Sequence, residues 1–162
     1  MGLKDFTALD AWQLSHELQV LIVALLQRFP LATDYILRDQ LHDAVASSPR
    51  HIAEGYGRSS DVEYARFLRF ALGTLAETRN HLKDARDRGY ITEDERQRGD
   101  HLARRAIGAT GGLRSALLSP GRGRAGSSRS PRPSDDLLNG IVGGDVRSDG
   151  GRATRFGRFL RA

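Results

Sequence analysis

Cysteine is absent from this chain, which excludes disulfide bonds, thiolate catalysis and cysteine-ligated metal sites. No apolar run approaches the ~20 residues that a membrane-spanning helix needs. The first residues, Met1 to Phe6, also lack the apolar segment of a secretory signal peptide. We therefore expect a cytoplasmic protein without a membrane partner.

An excess of one charge sign is also missing from most of the chain. Residues 1–118 hold sixteen lysines and arginines and sixteen aspartates and glutamates. Residues 119–162 hold nine arginines and four aspartates, so the net charge of +5 belongs to this segment. The segment is rich in glycine, serine, proline and arginine, a composition that buries too little apolar surface to fold. The sequence thus predicts one domain over 1–118 and a disordered basic tail over 119–162.

Strand-type alternation is not found, and the apolar residues follow helical spacing instead. The third of four such stripes is the most regular, because its steps of four and three residues match those of a coiled coil. Four amphipathic helices with short connections predict an all-α, antiparallel up-down four-helix bundle. The stripes are Leu14, Leu18, Leu21 and Leu25; Leu37, Leu41, Val45, Ser48 and Ile52; Tyr64, Leu68, Ala71, Leu75, Thr78, Leu82 and Ala85; and Leu102, Ala106, Ala109, Leu113 and Leu117.

Prolines and glycines divide these helices. Pro49 falls inside the second stripe and should kink or break that helix, with Ser47 and Ser48 as partners for the freed carbonyls. Gly89 should end the third helix, and Thr92 with Glu95 has the spacing of a capping box at the start of the fourth. Three glycines in the fourth helix indicate either close contact with a neighbouring backbone or a frayed end: Gly108, Gly111 and Gly112.

Residues 51–63 predict the corner between the second and third helices. Gly55 and Gly57 can take the left-handed backbone conformation that closes a helix. Ser60 and Glu63 have the spacing of a second capping box, in which each side chain bonds the other residue's backbone amide.

Two readings of the charged residues at this corner stay open. Glu54 lies four residues before Arg58, so the two side chains can form an ion pair if the helix continues. Alternatively, Arg58, Ser59 and Ser60 form an anion site at the start of the third helix, where the first amides favour phosphate.

The corner belongs to a longer pattern. That pattern is Trp12-Gln13, Phe29-Pro30, Leu37-x-x-Gln40-Leu41, Ala44, Ser48, Ile52-Ala53-Glu54-Gly55-Tyr56-Gly57-Arg58, Phe67-Leu68, Ala71-x-Gly73-Thr74 and Glu77. Residues 5–118 of the chain, in which the pattern lies, resemble a family of four-helix bundle proteins encoded in intervening sequences of 23S ribosomal RNA genes. That family also includes the accessory protein of diversity-generating retroelements.

The resemblance implies a homopentameric ring without catalytic activity or a cofactor. For the retroelement relatives it also implies a positively charged surface that engages RNA or DNA and a reverse transcriptase. The chain departs from its relatives at His42-Asp43, where they often carry two arginines, and at His51, where they often carry asparagine. The first departure reduces the positive charge of a helix that relatives use for nucleic acid.

The candidate nucleic-acid-binding residues are arginines. Acidic residues interleave with those of the third helix, so a solvated face of mixed charge is the alternative reading there. The tail is either an arm that binds nucleic acid through its charge or an extension without a function. Because the bundle is formally neutral, we expect the tail to supply most of the affinity. The candidates are Arg58, Arg66, Arg69 and Arg79 in the bundle, and Arg152, Arg155, Arg158 and Arg161 in the tail.

A carboxylate-bridged metal site is a further reading, based on Glu17, His51, Glu54, Glu77, His81 and His101. Di-iron bundles need Glu-x-x-His on two helices, whereas this chain has histidine before glutamate in one helix and a longer spacing in another. No serine–histidine–acid set or phosphate-binding glycine loop is present either. We therefore predict no metal, no cofactor and no catalytic residue. The expected function is that of an oligomeric, nucleic-acid-associated accessory or assembly factor, and the alternative is a protein–protein interaction scaffold.

Overall fold

The computed structural model describes residues 5–119, which form four long helices. Their bounds are Asp10–Leu26 (α1), Tyr35–Tyr56 (α2), Asp61–Asp87 (α3) and Glu93–Leu118 (α4). Short 3₁₀ turns at Phe6–Ala8 and Leu31–Thr33 precede α1 and α2. Each helix packs against its neighbours in sequence and α4 returns against α1, so the helices close into an antiparallel four-helix bundle. The predicted all-α fold is confirmed, and residues 5–119 contain no strand.

No described helix is long and apolar enough to cross a membrane. The predicted division of the chain at residue 118 stays a prediction. The tail and the disorder predicted for it lie outside the described residues.

Side-chain caps begin α2 and α4, the second of them where the sequence predicts it, whereas Leu9 before α1 forms no side-chain cap. The Asp34 carboxylate accepts a hydrogen bond from the amide of Leu37 at 3.1 Å, at the start of α2. Thr92 and Glu95 form the complete reciprocal capping box of α4. Gly89, which ends α3, has a φ of +74°, a conformation that glycine adopts without a steric cost.

Pro49 does not break α2, which is helical from Tyr35 to Tyr56. Of the predicted kink or break at Pro49, the break is therefore wrong, and so are the predicted partners of the freed carbonyl. The Ser47 hydroxyl donates to the carbonyl of Asp43 at 2.7 Å, and the Ser48 hydroxyl donates to the hydroxyl oxygen of Ser15 at 3.0 Å. Neither serine hydroxyl donates to the carbonyl of Val45, which is the carbonyl that lacks an amide donor because of Pro49. The Ser48–Ser15 bond instead joins α2 to α1 inside the core.

The predicted stripe of α3 is buried along its whole length, from Tyr64 to Ala85. The stripe of α4 is rotated from the predicted one, because small residues face the core. Gly99, Ala103, Ala106 and Thr110 are buried there, whereas the predicted Leu102, Ala109, Leu113 and Leu117 are half-buried. A β-carbon at Gly99 would lie 2.7 Å from Cδ1 of Leu82, so this glycine lets α4 approach α3 closely.

The three later glycines of α4 do not mark a close contact with a neighbouring backbone. A β-carbon at Gly108, Gly111 or Gly112 would meet no atom of another described helix within 4 Å. The helix continues past them to Leu118. Of the two alternatives drawn from the sequence, the close contact is therefore wrong for the described residues, and fraying of the helix end stays a prediction.

Candidate nucleic-acid interface

The corner at residues 54–63 is built as a structural joint. The Arg58 guanidinium donates to the Glu54 carboxylate at 2.6 Å, which confirms the ion-pair reading. The Ser60 hydroxyl accepts from the amide of Glu63 at 3.5 Å, as predicted for the first half of the capping box. Arg58 and Ser60 thus both have partners within the protein, and the alternative anion site at this corner stays a prediction.

The glycines of this corner act differently from the prediction. Gly57 has a φ of −72°, the ordinary right-handed value, and its amide bonds carbonyls of the preceding turn. Gly55 is buried within α2, where a β-carbon would lie 2.6 Å from Cδ2 of Tyr64 and 2.7 Å from Cβ of Phe67. The left-handed closure is therefore wrong. Gly55 is required because α3 crosses its backbone at contact distance.

Arg79 is also engaged within the protein. Its Nε donates to the Asp100 carboxylate at 2.6 Å, and Arg104 bonds the other oxygen of the same group. Asp100 is largely buried between α3 and α4. Burial alone would raise the pKa of Asp100, but the hydrogen bonds from Arg79 and Arg104 outweigh it and hold the pKa below its ordinary value. Arg79 therefore joins two helices and offers little charge to a ligand.

Arg66 and Arg69 lie together with Arg114 in a shallow groove between the N-terminal half of α3 and the C-terminal half of α4. We call this surface the α3–α4 groove and define it by Arg66, Arg69, Arg114, Val62 and Leu118. Within residues 5–119, none of its three arginines forms an ion pair. Nε of Arg114 is buried without a hydrogen-bond partner among the described residues. Val62 and Leu118 add exposed apolar surface beside these charges.

The charges of α3 and α4 are segregated along the bundle. Residues 64–76 of α3 and 101–118 of α4 contain no acid, and the two stretches face each other because the helices are antiparallel. Residues 77–100 hold seven acids: Glu77, Asp84, Asp87, Glu93, Asp94, Glu95 and Asp100. Outside the first turn of α3, which carries Asp61 and Glu63 beside Val62, these two helices thus have a basic part and an acidic part. The mixed-charge reading of α3 holds for its C-terminal half, where Arg86 pairs with Asp87 and Glu93.

The arginines of a second groove, on α4, are neutralised by carboxylates. It is lined by Arg96, Gln97, Asp100, His101 and Arg104. Arg96 donates to Glu93 through two nitrogens, and this contact lowers the pKa of Glu93 to about 2. Arg104 is held by Asp100. The carboxylates already occupy these guanidinium groups, so this groove is a poor candidate for a polyanion.

Sequence reasoning missed Arg114 because counting charges over the whole domain hides their distribution. The acid-free stretch from residue 101 to 118 was the available signal. The tail candidates Arg152, Arg155, Arg158 and Arg161 lie outside the described residues, so their role stays a prediction.

The histidines and glutamates considered for a metal do not converge. Within residues 5–119, no group of three or more histidine, aspartate or glutamate side chains is placed to hold a metal ion. Glu54 is bound to Arg58, and Oε1 of the exposed Glu77 lies 3.6 Å from Nε2 of the half-buried His81. Metal-free function remains a prediction.

Comparison with known proteins agrees with the resemblance in the sequence. The family model described as 23S rRNA-intervening sequence protein matches residues 7–108, which is well over half of the chain. This range begins before α1 and includes the corner, all of α3 and the first turns of α4. No curated protein sequence matches the chain. On the matched range and the four-helix fold, the chain belongs to the 23S rRNA-intervening sequence protein family.

Proposed function

We propose that this protein is a non-enzymatic accessory protein that associates with nucleic acid through the α3–α4 groove. The observation that carries the proposal is the convergence of Arg66, Arg69 and Arg114 without a carboxylate partner among the described residues. Unpaired guanidinium groups suit phosphate, because their planar donors match its oxygens and their charge displaces counterions. Membership in a family named for ribosomal RNA genes supports the same ligand class.

The environment of Arg114 strengthens this proposal. Its Nε is removed from solvent and has no hydrogen-bond partner among the described residues, a state that costs free energy in the unbound protein. A phosphate oxygen that reached the rest of this guanidinium would act in surroundings of lower polarity than water, where charge attraction is stronger. Arg66 and Arg69 are exposed and adjust without repacking the core.

Self-association into a ring of five copies is part of the proposal. The number five rests on the resemblance to the family, and association itself is supported by exposed apolar side chains at Val20, Phe29, Tyr35 and Ile36. A ring would repeat the α3–α4 groove five times and raise the avidity for one long polyanion. Light scattering coupled to size exclusion tests this. A monomer at micromolar concentration would contradict it.

A reverse transcriptase is the protein partner that the resemblance favours. We propose it for this chain on that ground alone, and co-purification from the native host tests it. Recovery of this protein without such an enzyme would leave nucleic acid as the proposed partner.

The proposed site is tested by removing two charges at a time. The double variant Arg66→Gln/Arg69→Gln removes exposed charges from the groove. The control Lys83→Gln/Arg98→Gln removes two exposed charges that lie elsewhere and also form no ion pair with a described residue. Binding of mixed-sequence RNA and duplex DNA is measured at several salt concentrations. We expect the groove variant to reduce the salt slope on duplex DNA by about two, since each phosphate neutralised contributes ~0.9. The matched control should change it much less.

The tail is separated from the groove by a third variant, in which Arg152, Arg155, Arg158 and Arg161 become glutamine. If the tail supplies most of the affinity, this variant will lose most low-salt binding and the groove variant little. If the groove is the site, the order will be reversed. If wild-type protein binds neither RNA nor DNA at low salt, the interaction-scaffold reading replaces the proposal.

A further inference from the structure

Phe70 places an aromatic ring on the outer face of α3, beside the arginines of the α3–α4 groove. The side chain is 38% exposed, and the ring belongs to neither of the two apolar clusters that form the core. Its neighbours come from two helices, with the centroid of His51 at 5.7 Å and that of Phe67 at 6.0 Å. The Phe67 contact is edge to face, so these neighbours support the ring and leave part of its surface open.

Two guanidinium groups lie over this ring in the unbound protein. The Cζ atoms of Arg66 and Arg69 lie 5.6 Å and 5.9 Å from the Phe70 centroid. Exposed contacts of this kind contribute only modestly, and neither arginine has a carboxylate partner among residues 5–119. Either group can leave the ring for a phosphate without breaking an ion pair. Phe67 differs, because Arg58 covers it at 4.7 Å and is itself held by Glu54.

We propose that Phe70 is a stacking platform for an unpaired base, so that the α3–α4 groove prefers single-stranded nucleic acid. This inference rests on the proposed function of the groove. A base that stacks on Phe70 brings its own phosphates next to Arg66 and Arg69, and charge complementarity therefore favours a nucleic-acid strand over an apolar protein segment. A base in a duplex is stacked on its neighbours and does not reach the ring. Stacking of this kind tolerates any base, because each has a π-face.

The test compares three probes of equal phosphate number: a single-stranded 12-mer, the same strand with abasic sites throughout, and a duplex. Phe70→Leu keeps apolar bulk and removes the aromatic face, and Phe70→Trp restores it. We expect Phe70→Leu to weaken binding of the single strand about tenfold and to leave binding of the abasic strand and the duplex unchanged. Phe70→Trp should bind the single strand as the wild type does. Arg66→Gln/Arg69→Gln should lower the affinity for all three probes.

The outcomes separate the platform from the proposed function. If Phe70→Leu leaves single-strand affinity unchanged while the arginine variant lowers it, the platform is refuted and the groove stands. If wild-type protein binds none of the probes, the proposed function fails. Equal weakening of all three probes by Phe70→Leu, or a change in oligomeric state by light scattering, would show that Phe70 packs the fold or a second copy, and would overturn the platform.

Discussion

A β-carbon at Gly55 would lie 2.6 Å from Cδ2 of Tyr64, closer than any real contact of that kind. Tyr64 is buried, and Cβ of Phe67 blocks the same space at 2.7 Å. Because both obstacles belong to α3, added bulk at Gly55 must push two helices apart at the corner that joins them.

We therefore expect Gly55→Ala to lower the free energy of unfolding by about 1–3 kcal/mol through overpacking. Gly73→Ala is the matched control, since its β-carbon would meet nothing within 4 Å of the described structure. That change should raise stability by about 0.5–1 kcal/mol, the helix-propensity gain of alanine over glycine. Urea denaturation measures both. Equal effects of the two changes would contradict the close approach of α3.

The two helix-terminal glycines should respond differently to alanine. Gly89 has a φ of +74° and Gly57 a φ of −72°. Gly89→Ala should lower the free energy of unfolding by about 1–2 kcal/mol, because an L-residue is strained in the left-handed region. Gly57→Ala should be close to neutral, and a large cost there would restore the left-handed closure drawn from the sequence. Thermal unfolding of the two variants measures both changes in stability.

Removal of the Asp100 carboxylate should destabilise the contact between α3 and α4. Asp100→Asn leaves Arg79 and Arg104 without their shared anion. We expect the free energy of unfolding to fall by about 1.5–3 kcal/mol, the range for hydrogen bonds to charged groups. Glu17→Gln is the control, since that exposed carboxylate has no ion-pair partner among the described residues. Chemical denaturation at neutral pH measures the difference.

The pH dependence of the same variant has a defined sign. The folded-state pKa of Asp100 lies below its ordinary value of 3.8. The contribution of the ionised Asp100 carboxylate to the free energy of unfolding is therefore fully present above about pH 3.8. It is lost as the pH falls through the lower folded-state pKa. Stability of Asp100→Asn should fall less steeply than that of wild type over this acidic range. Parallel acid profiles would show that Asp100 is not the responsible group.

His51 should make the protein less stable in mild acid. Burial lowers its pKa below the ordinary value of 6.5; Glu54 opposes this shift and Arg50 adds to it. The unfolded chain therefore binds the proton first as the pH falls, so stability is greatest above pH 6.5 and declines below it. His51→Gln should remove this decline between pH 6.5 and the lower folded-state pKa. Denaturation profiles from pH 7.5 to 5 measure it, and identical profiles would refute this assignment.

The parts of the fold that depend on local pattern were predictable from sequence. Asp34 and Thr92 cap their helices by bonding amides three residues away, and the stripe of α3 needs only helical spacing to be recognised. The rotated stripe of α4 was not predictable in the same way. Gly99 reads as a weak helix residue until Leu82 of the neighbouring helix is known to fill the space above it.

The candidate site was predictable only in part, because ion pairing is a property of the tertiary structure. Arg66, Arg69 and Arg79 look alike in sequence. Asp100 reaches Arg79 from 21 residues away, while Arg66 and Arg69 line the groove with Arg114 and apolar side chains and form no ion pair within residues 5–119. Pairing across helices thus decides which arginines keep their charge available, and no spacing within α3 reports it.

The open glycines of α4 have a consequence for the wall of the groove that Arg114 and Leu118 provide. Gly108, Gly111 and Gly112 each lower the local helix preference by about 1 kcal/mol relative to alanine. The last turns of α4 should therefore open by local unfolding at a free energy well below that of the whole bundle. A polyanion that binds Arg114 holds these turns closed, so part of its binding energy is consumed in ordering them. Amide exchange in residues 108–118 should then slow on binding, while exchange in the centre of α3 stays as it was.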